Sequence, residues 1–135
     1  MKKFGLLSCM LLLLAGCSDE KPQVSIYHVD DDQEEVEMLK EVFHDNMKIS
    51  EASGVFFDHQ LVVSLQVEPL SKFSKEKIAN SIEKEVKSLF PDHEVFVSSD
   101  LKITWELKKI IEKQPTEDAL KKDLDELRAL AKENT

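Results

Sequence analysis

Cysteine is scarce in this 135-residue chain, which has only Cys9 and Cys17. Cys9 lies within an apolar N-terminal leader. Removal of that leader leaves Cys17 alone and excludes an intrachain disulfide. Glycine and proline are also few, three and four residues, which argues against a long disordered chain. No excess of basic residues is present. Lys and Arg total 18 against 27 Asp and Glu, a net charge of −9. Without Lys2 and Lys3 of the leader the balance is 16 against 27, or −11. Nucleic acid is therefore not an expected partner, because phosphate binding needs clustered Lys and Arg. Nor does the overall charge attract anionic lipid. A long apolar run is missing too. The segment from Phe4 to Leu14 is eleven residues, well short of the ~20 that span a bilayer.

Catalytic motifs are equally scarce. The chain has no Gly-x-Ser-x-Gly elbow, no phosphate-cradling glycine loop and no His-x-x-x-His zinc spacing. Cys17 is blocked as a nucleophile if it carries lipid. His28 with Asp30, Asp31 and Asp32 invites a metal reading. Consecutive carboxylates, however, do not converge on one ion without a shaped loop. His44, His59 and His93 are scattered. The expectation is a non-enzymatic protein with no metal and no cofactor.

What is present begins at the N-terminus. Met1-Lys2-Lys3 forms a positive n-region, Phe4 to Leu14 an apolar core, and small residues precede Cys17. This is the three-part pattern of a secretory signal. Leu14-Ala15-Gly16-Cys17 resembles the lipobox of bacterial lipoproteins, in which the cysteine thiol receives a diacylglyceryl group and becomes the new N-terminus. Two acyl chains anchor stably where one does so marginally, at about 0.8 kcal/mol per buried CH₂. The resemblance implies lipidation of Cys17 and a membrane partner reached through it.

The expected organisation is a lipoprotein signal peptide at 1–16, an acidic tether at 17–33, an α+β domain at 34–112 and a C-terminal helix at 113–135. Val24, Ile26 and Val29 permit a short strand within the tether. Val36, Leu39, Val42, Phe43 and Met47 have helical spacing. Ile49 to Phe57 reads as a strand with a kink or bulge at Gly54. Asp58-His59 is a turn, and Gln60 to Glu68 is an alternating strand interrupted by Val62. Ser74 is placed to cap a helix carrying Ile78, Ile82, Val86 and Leu89 on one face. Pro91 ends it, and Val95-Phe96-Val97 forms a third strand. Ser99 or Asp100 caps a helix with Ile103, Leu107, Ile110 and Ile111. After the break at Gln114-Pro115, Thr116 opens a last helix striped by Leu120, Leu124, Leu127 and Ala131. The fold class is α+β. A small three-stranded sheet, made of a hairpin plus one strand, has helices packed on one face in the order α-β-β-α-β-α, and a C-terminal helix follows.

The stretch from Lys48 to Ile111 resembles the sporulation lipoproteins of Bacillus-type bacteria, the YhcN/YlaJ family. The likeness rests on the lipobox, the strand Leu61-Val62-Val63-Ser64-Leu65-Gln66-Val67, the helix with Ile78, Ile82 and Val86, and the ending Val95-Phe96-Val97-Ser98-Ser99-Asp100. It covers about half of the chain. The hairpin region has few glycines, and the Asn-rich or Gly-rich stretch of some family members is missing. The resemblance implies lipid anchoring at a cell or spore membrane, on its extracytoplasmic face, and a role in sporulation or germination. It brings no catalytic residues.

Candidate interaction residues are Trp105, Leu120, Leu124 and Leu127. Trp105 is expected at the core edge against the sheet, with an interface anchor as the alternative. The leucine stripe can pack on the domain or dock on a protein partner at the membrane surface. The leading functional expectation is a lipid-anchored protein acting in sporulation or germination by protein contacts. The alternative is an accessory or binding subunit of a transport or secretion complex in vegetative cells.

Overall fold

The computed structural model describes residues 22–133. The leader, the lipobox Leu14, Ala15 and Gly16, and Cys17 lie outside the described residues. Among those described, the chain folds as α+β with four strands and four α-helices. The first strand, β1 (Gln23–His28), forms inside the segment expected as a tether. Folded structure therefore begins by Gln23, and the sheet has four strands where three were expected. Val24 and Ile26 supply the reason, since both pack against the core.

Helix α1 (Gln33–His44) follows. Asp32 caps it, its carboxylate accepting the backbone N–H groups of Glu34 and Glu35. Strands β2 (Ile49–Phe57) and β3 (Gln60–Val67) form the hairpin. Its two-residue turn places Asp58 at φ 54°, a left-handed conformation that Asp tolerates better than most residues. A 3₁₀ turn (Pro69–Ser74) leads into α2 (Lys75–Leu89). Ser74 occupies the N-cap position without making a side-chain cap bond. Strand β4 (Glu94–Ser98) precedes α3 (Leu101–Lys113), which Asp100 caps through the N–H groups of Lys102 and Ile103. Gln114 turns left-handed at φ 45° and ends α3 before Pro115. Helix α4 (Glu117–Glu133) completes the described chain.

The sheet order is β1-β2-β3-β4. The outer pairs are parallel and the central pair is antiparallel. The expected one-faced arrangement does not hold, because helices cover both faces. Helices α1 and α2 pack on one face over Ala52, Phe56, Leu61, Val63 and Leu65. Helices α3 and α4 pack on the other over Val55 and Val62. Val62, which interrupts the alternation of β3, is thus the core residue of the second face. Leu120, Leu124 and Leu127 are buried there to within 3% of full burial, so α4 is part of the core and not a detached arm. Arg128 of α4 donates to Glu94 of β4 at 3.1 Å.

Gly54 is not a bulge. It sits in regular pairing with Ile26 and Val63, and the register shift lies between Ile49 and Glu51. A Cβ at position 54 would lie 2.9 Å from Cδ2 of Leu39. Glycine there lets α1 approach the sheet closely. Two other expectations shift by a residue or a turn. Met47 lies beyond the end of α1 and is 90% exposed, while Leu89 is half-exposed and Phe90 takes the buried place.

Candidate functional site

The register defines two ends of the sheet. Gln23 pairs with Glu51, which pairs with Gln66, so β1 starts where β3 finishes. His28 pairs with Phe56, Phe56 with Leu61, and Leu61 with Val95. That second end holds a convergent group of histidine and carboxylate side chains, including His28, Asp32 and Glu35.

There, α1 begins one turn after β1 ends and sets Glu35 beside His28. The turn between α2 and β4 brings in His93. Oε1 of Glu35 lies 3.6 Å from Nε2 of His28, and Oε2 lies 3.3 Å from Nε2 of His93. The His28 side chain is more than nine-tenths buried, and Glu35 is about a quarter exposed. His28 stacks on Phe56 with ring centroids 4.8 Å apart. Phe90 and His93 meet the same ring edge-on at 5.4 and 5.7 Å. Two imidazoles thus flank one carboxylate against an aromatic wall.

A ring nitrogen of His28 and carboxylate oxygens of Asp32 and Glu35 lie within 4.8 Å of one another, a spacing that could hold a cation. His28 argues against ligation. Its Nδ1 accepts the backbone N–H of Asp30 at 3.1 Å. The proton of the neutral ring therefore sits on Nε2, the atom facing Glu35, and a protonated nitrogen offers no lone pair to a metal. Oδ1 of Asp32 is already engaged in capping α1. The arrangement sets two imidazole rings beside one carboxylate at ion-pair distance, with His28 Nε2 and Glu35 Oε2 making no hydrogen bond, and so brings β1, α1 and the α2–β4 turn together as a clasp.

Sequence reasoning grouped His28 with Asp30, Asp31 and Asp32. The fold groups the carboxylate of Asp32 with the ring, brings Asp30 to it only through its backbone N–H, and adds Glu35 and His93. Glu35 carried a signal, since Asp32-x-x-Glu35 is the spacing of a capping box. His93 carried none, because its position depends on the crossover through α2.

The residues singled out as interaction candidates fare differently. Leu120, Leu124 and Leu127 are spent on the core and present no docking surface. Trp105 is 57% exposed, contrary to its expected place at the core edge. Its helical phase explains this. It lies two residues from buried Ile103, about 200° around α3, so it faces away from the sheet. Leu101, one turn before it, shares that face and is also exposed. A cleft of about 850 Å³ beside β4 is lined by Phe73, Phe96, Val97, Ser98 and Ile103.

No family model matches the chain. No curated protein and no solved structure matches it either.

Proposed function

We propose that the chain is a lipid-anchored, non-enzymatic protein of the membrane surface that acts in sporulation or spore germination through protein–protein contacts. The observation that carries this reading is Cys17, preceded by Leu14-Ala15-Gly16, an eleven-residue apolar run and Lys2-Lys3. No helix among the described residues is long and apolar enough to cross a membrane. Attachment through a diacylglyceryl group on Cys17 places the domain on the extracytoplasmic face of the cell membrane or of a spore membrane. Exposed Trp105 and Leu101 on one face of α3 support contact with a protein partner, since large aromatics are favoured anchors of interfaces. The link to sporulation rests on the family resemblance of the segment from Lys48 to Ile111.

Fractionation of spores and growing cells tests the reading. The expected result is native protein in spore membranes, with Cys17→Ala released or misprocessed. A transcript abundant in growing cells and missing from the forespore contradicts the sporulation role and favours an accessory subunit of a transport or secretion complex.

A further inference from the structure

Six large apolar side chains are conspicuously exposed among the described residues: Met47, Leu70, Phe73, Leu89, Leu101 and Trp105. Leu70 and Phe73, at 99% and 103%, touch almost nothing. Their positions in the topology are not scattered. Met47 lies two residues before β2 begins, and β2 begins where β3 ends. Leu70 and Phe73 lie in the 3₁₀ turn just after β3. The N–H of Glu68 donates to the carbonyl of Lys48 at 2.8 Å, which ties these two segments together. Strand β4 runs parallel to β3, so Leu101 also follows at this end, and Trp105 lies one turn along α3. Only Leu89, at the finish of α2, belongs to the opposite end.

This is also the end from which β1 starts, because Gln23 pairs with Glu51 at the beginning of β2. Cys17 is six residues before Gln23. Six residues span at most about 20 Å. The nine residues of β2 run about 30 Å. A lipid on Cys17 therefore keeps this end of the sheet within about 20 Å of the bilayer, while the His28–Glu35–His93 end is under no such restraint.

The local charge agrees. The segments at this end, 45–49, 68–77 and 98–102, carry Lys48, Lys72, Lys75, Lys77 and Lys102 against four acids, Asp45, Glu68, Glu76 and Asp100. With Glu51 and the Asp19-Glu20-Lys21 stretch that precedes Gln23, the balance at this end is six basic against seven acidic residues, far closer to neutral than the net −9 of the chain, which limits repulsion from anionic headgroups. Exposed apolar side chains with lysines close beside them in sequence suit a surface that lies in the interfacial layer of a bilayer.

We propose that this end of the domain is a membrane-contact surface, with Leu70 and Phe73 seated at the boundary between headgroups and acyl chains and the lysines beside them at the phosphate level. The proposal rests on the lipid-anchor reading of Cys17 and adds to it an orientation. The domain stands on the bilayer and does not swing freely from its anchor.

The test uses the full mature lipoprotein in vesicles of phosphatidylethanolamine and phosphatidylglycerol containing brominated acyl chains. Trp105→Phe removes the only tryptophan, and Phe73→Trp or Leu89→Trp then places a single reporter at either end of the sheet. The expected result is a blue-shifted, strongly quenched emission from position 73 and an unquenched emission from position 89. Adding Leu70→Ser to the position-73 reporter should reduce the quenching while the protein still sediments with vesicles. Equal emission from both positions in a protein that sediments overturns the proposal and leaves the anchor standing. That outcome is also expected if the apolar end serves a protein partner. A chain that carries no acyl group by mass spectrometry overturns the anchor, and the proposal with it.

Discussion

Glu35 is the residue whose surroundings differ most from what its neighbours in sequence suggest. Glutamate at the third position of a helix is ordinarily a partner of the N-cap, yet its carboxylate here faces His28 and His93. These contacts are at ion-pair distance without a hydrogen bond and are worth about 0.2–1 kcal/mol, so Glu35→Ala should lower stability by that amount in urea unfolding. A change within error would show that the clasp contributes nothing. Because His28 Nδ1 already accepts the Asp30 N–H, added zinc should not raise the melting temperature. A saturable rise that Glu35→Ala abolishes would contradict that assignment. Gly54 offers a second check at this scale. Gly54→Ala drives a methyl to 2.9 Å from Leu39, and overpacking of this kind costs about 1–3 kcal/mol. The low end is expected, since a side-chain methyl can yield where backbone cannot. Unchanged or raised stability would mean that α1 has room to move outward.

At the scale of elements, α4 decides how the second face is built. Leu124 is fully buried against α3 and the sheet. Leu124→Ala should therefore destabilise the whole domain by roughly 2–5 kcal/mol in a single cooperative transition. A loss below 1 kcal/mol, or separate melting of α4, would return it to the status of a detachable arm. Local signals were sufficient for the hairpin, its Asp58-His59 turn, the stops at Pro91 and Pro115 and the cap at Asp100, because each depends on residues close in sequence. Val24 and Ile26 allowed a short strand where β1 forms, but its place in the sheet was not legible, because its pairing with β2 reaches across α1. Local signals were insufficient also for the two-faced core. Val62 and the Leu120, Leu124 and Leu127 stripe each marked an apolar surface, and only the fold shows that they cover each other. The clasp was half legible. His28 and Asp32 stood out as polar groups close in sequence, while His93 joins them only through tertiary structure. The exposure of Trp105 was readable from its phase relative to Ile103, Leu107 and Ile110, but the general tendency of large aromatics to bury pointed the other way.

At the scale of the whole molecule, the sheet has two ends with different chemistry. One end carries the start of β1, with Leu70, Phe73 and Met47 exposed nearby. The other carries the hairpin turn and the His28–Glu35–His93 clasp. In the proposed orientation the first meets lipid and the second points away from the bilayer. Leu70→Ser with Phe73→Ser should leave the unfolding midpoint nearly unchanged, because surface substitutions of this kind stay within about 0.5 kcal/mol. A larger loss would show that the 3₁₀ turn supports the fold and is not a free contact surface. The central claim is lipid attachment at Cys17, and intact-mass spectrometry of the native protein extracted from membranes tests it most directly. The account predicts a mature chain beginning at Cys17 and carrying a diacylglyceryl adduct, which Cys17→Ala lacks. A chain that retains residues 1–16, or one cleaved there without lipid, would contradict it.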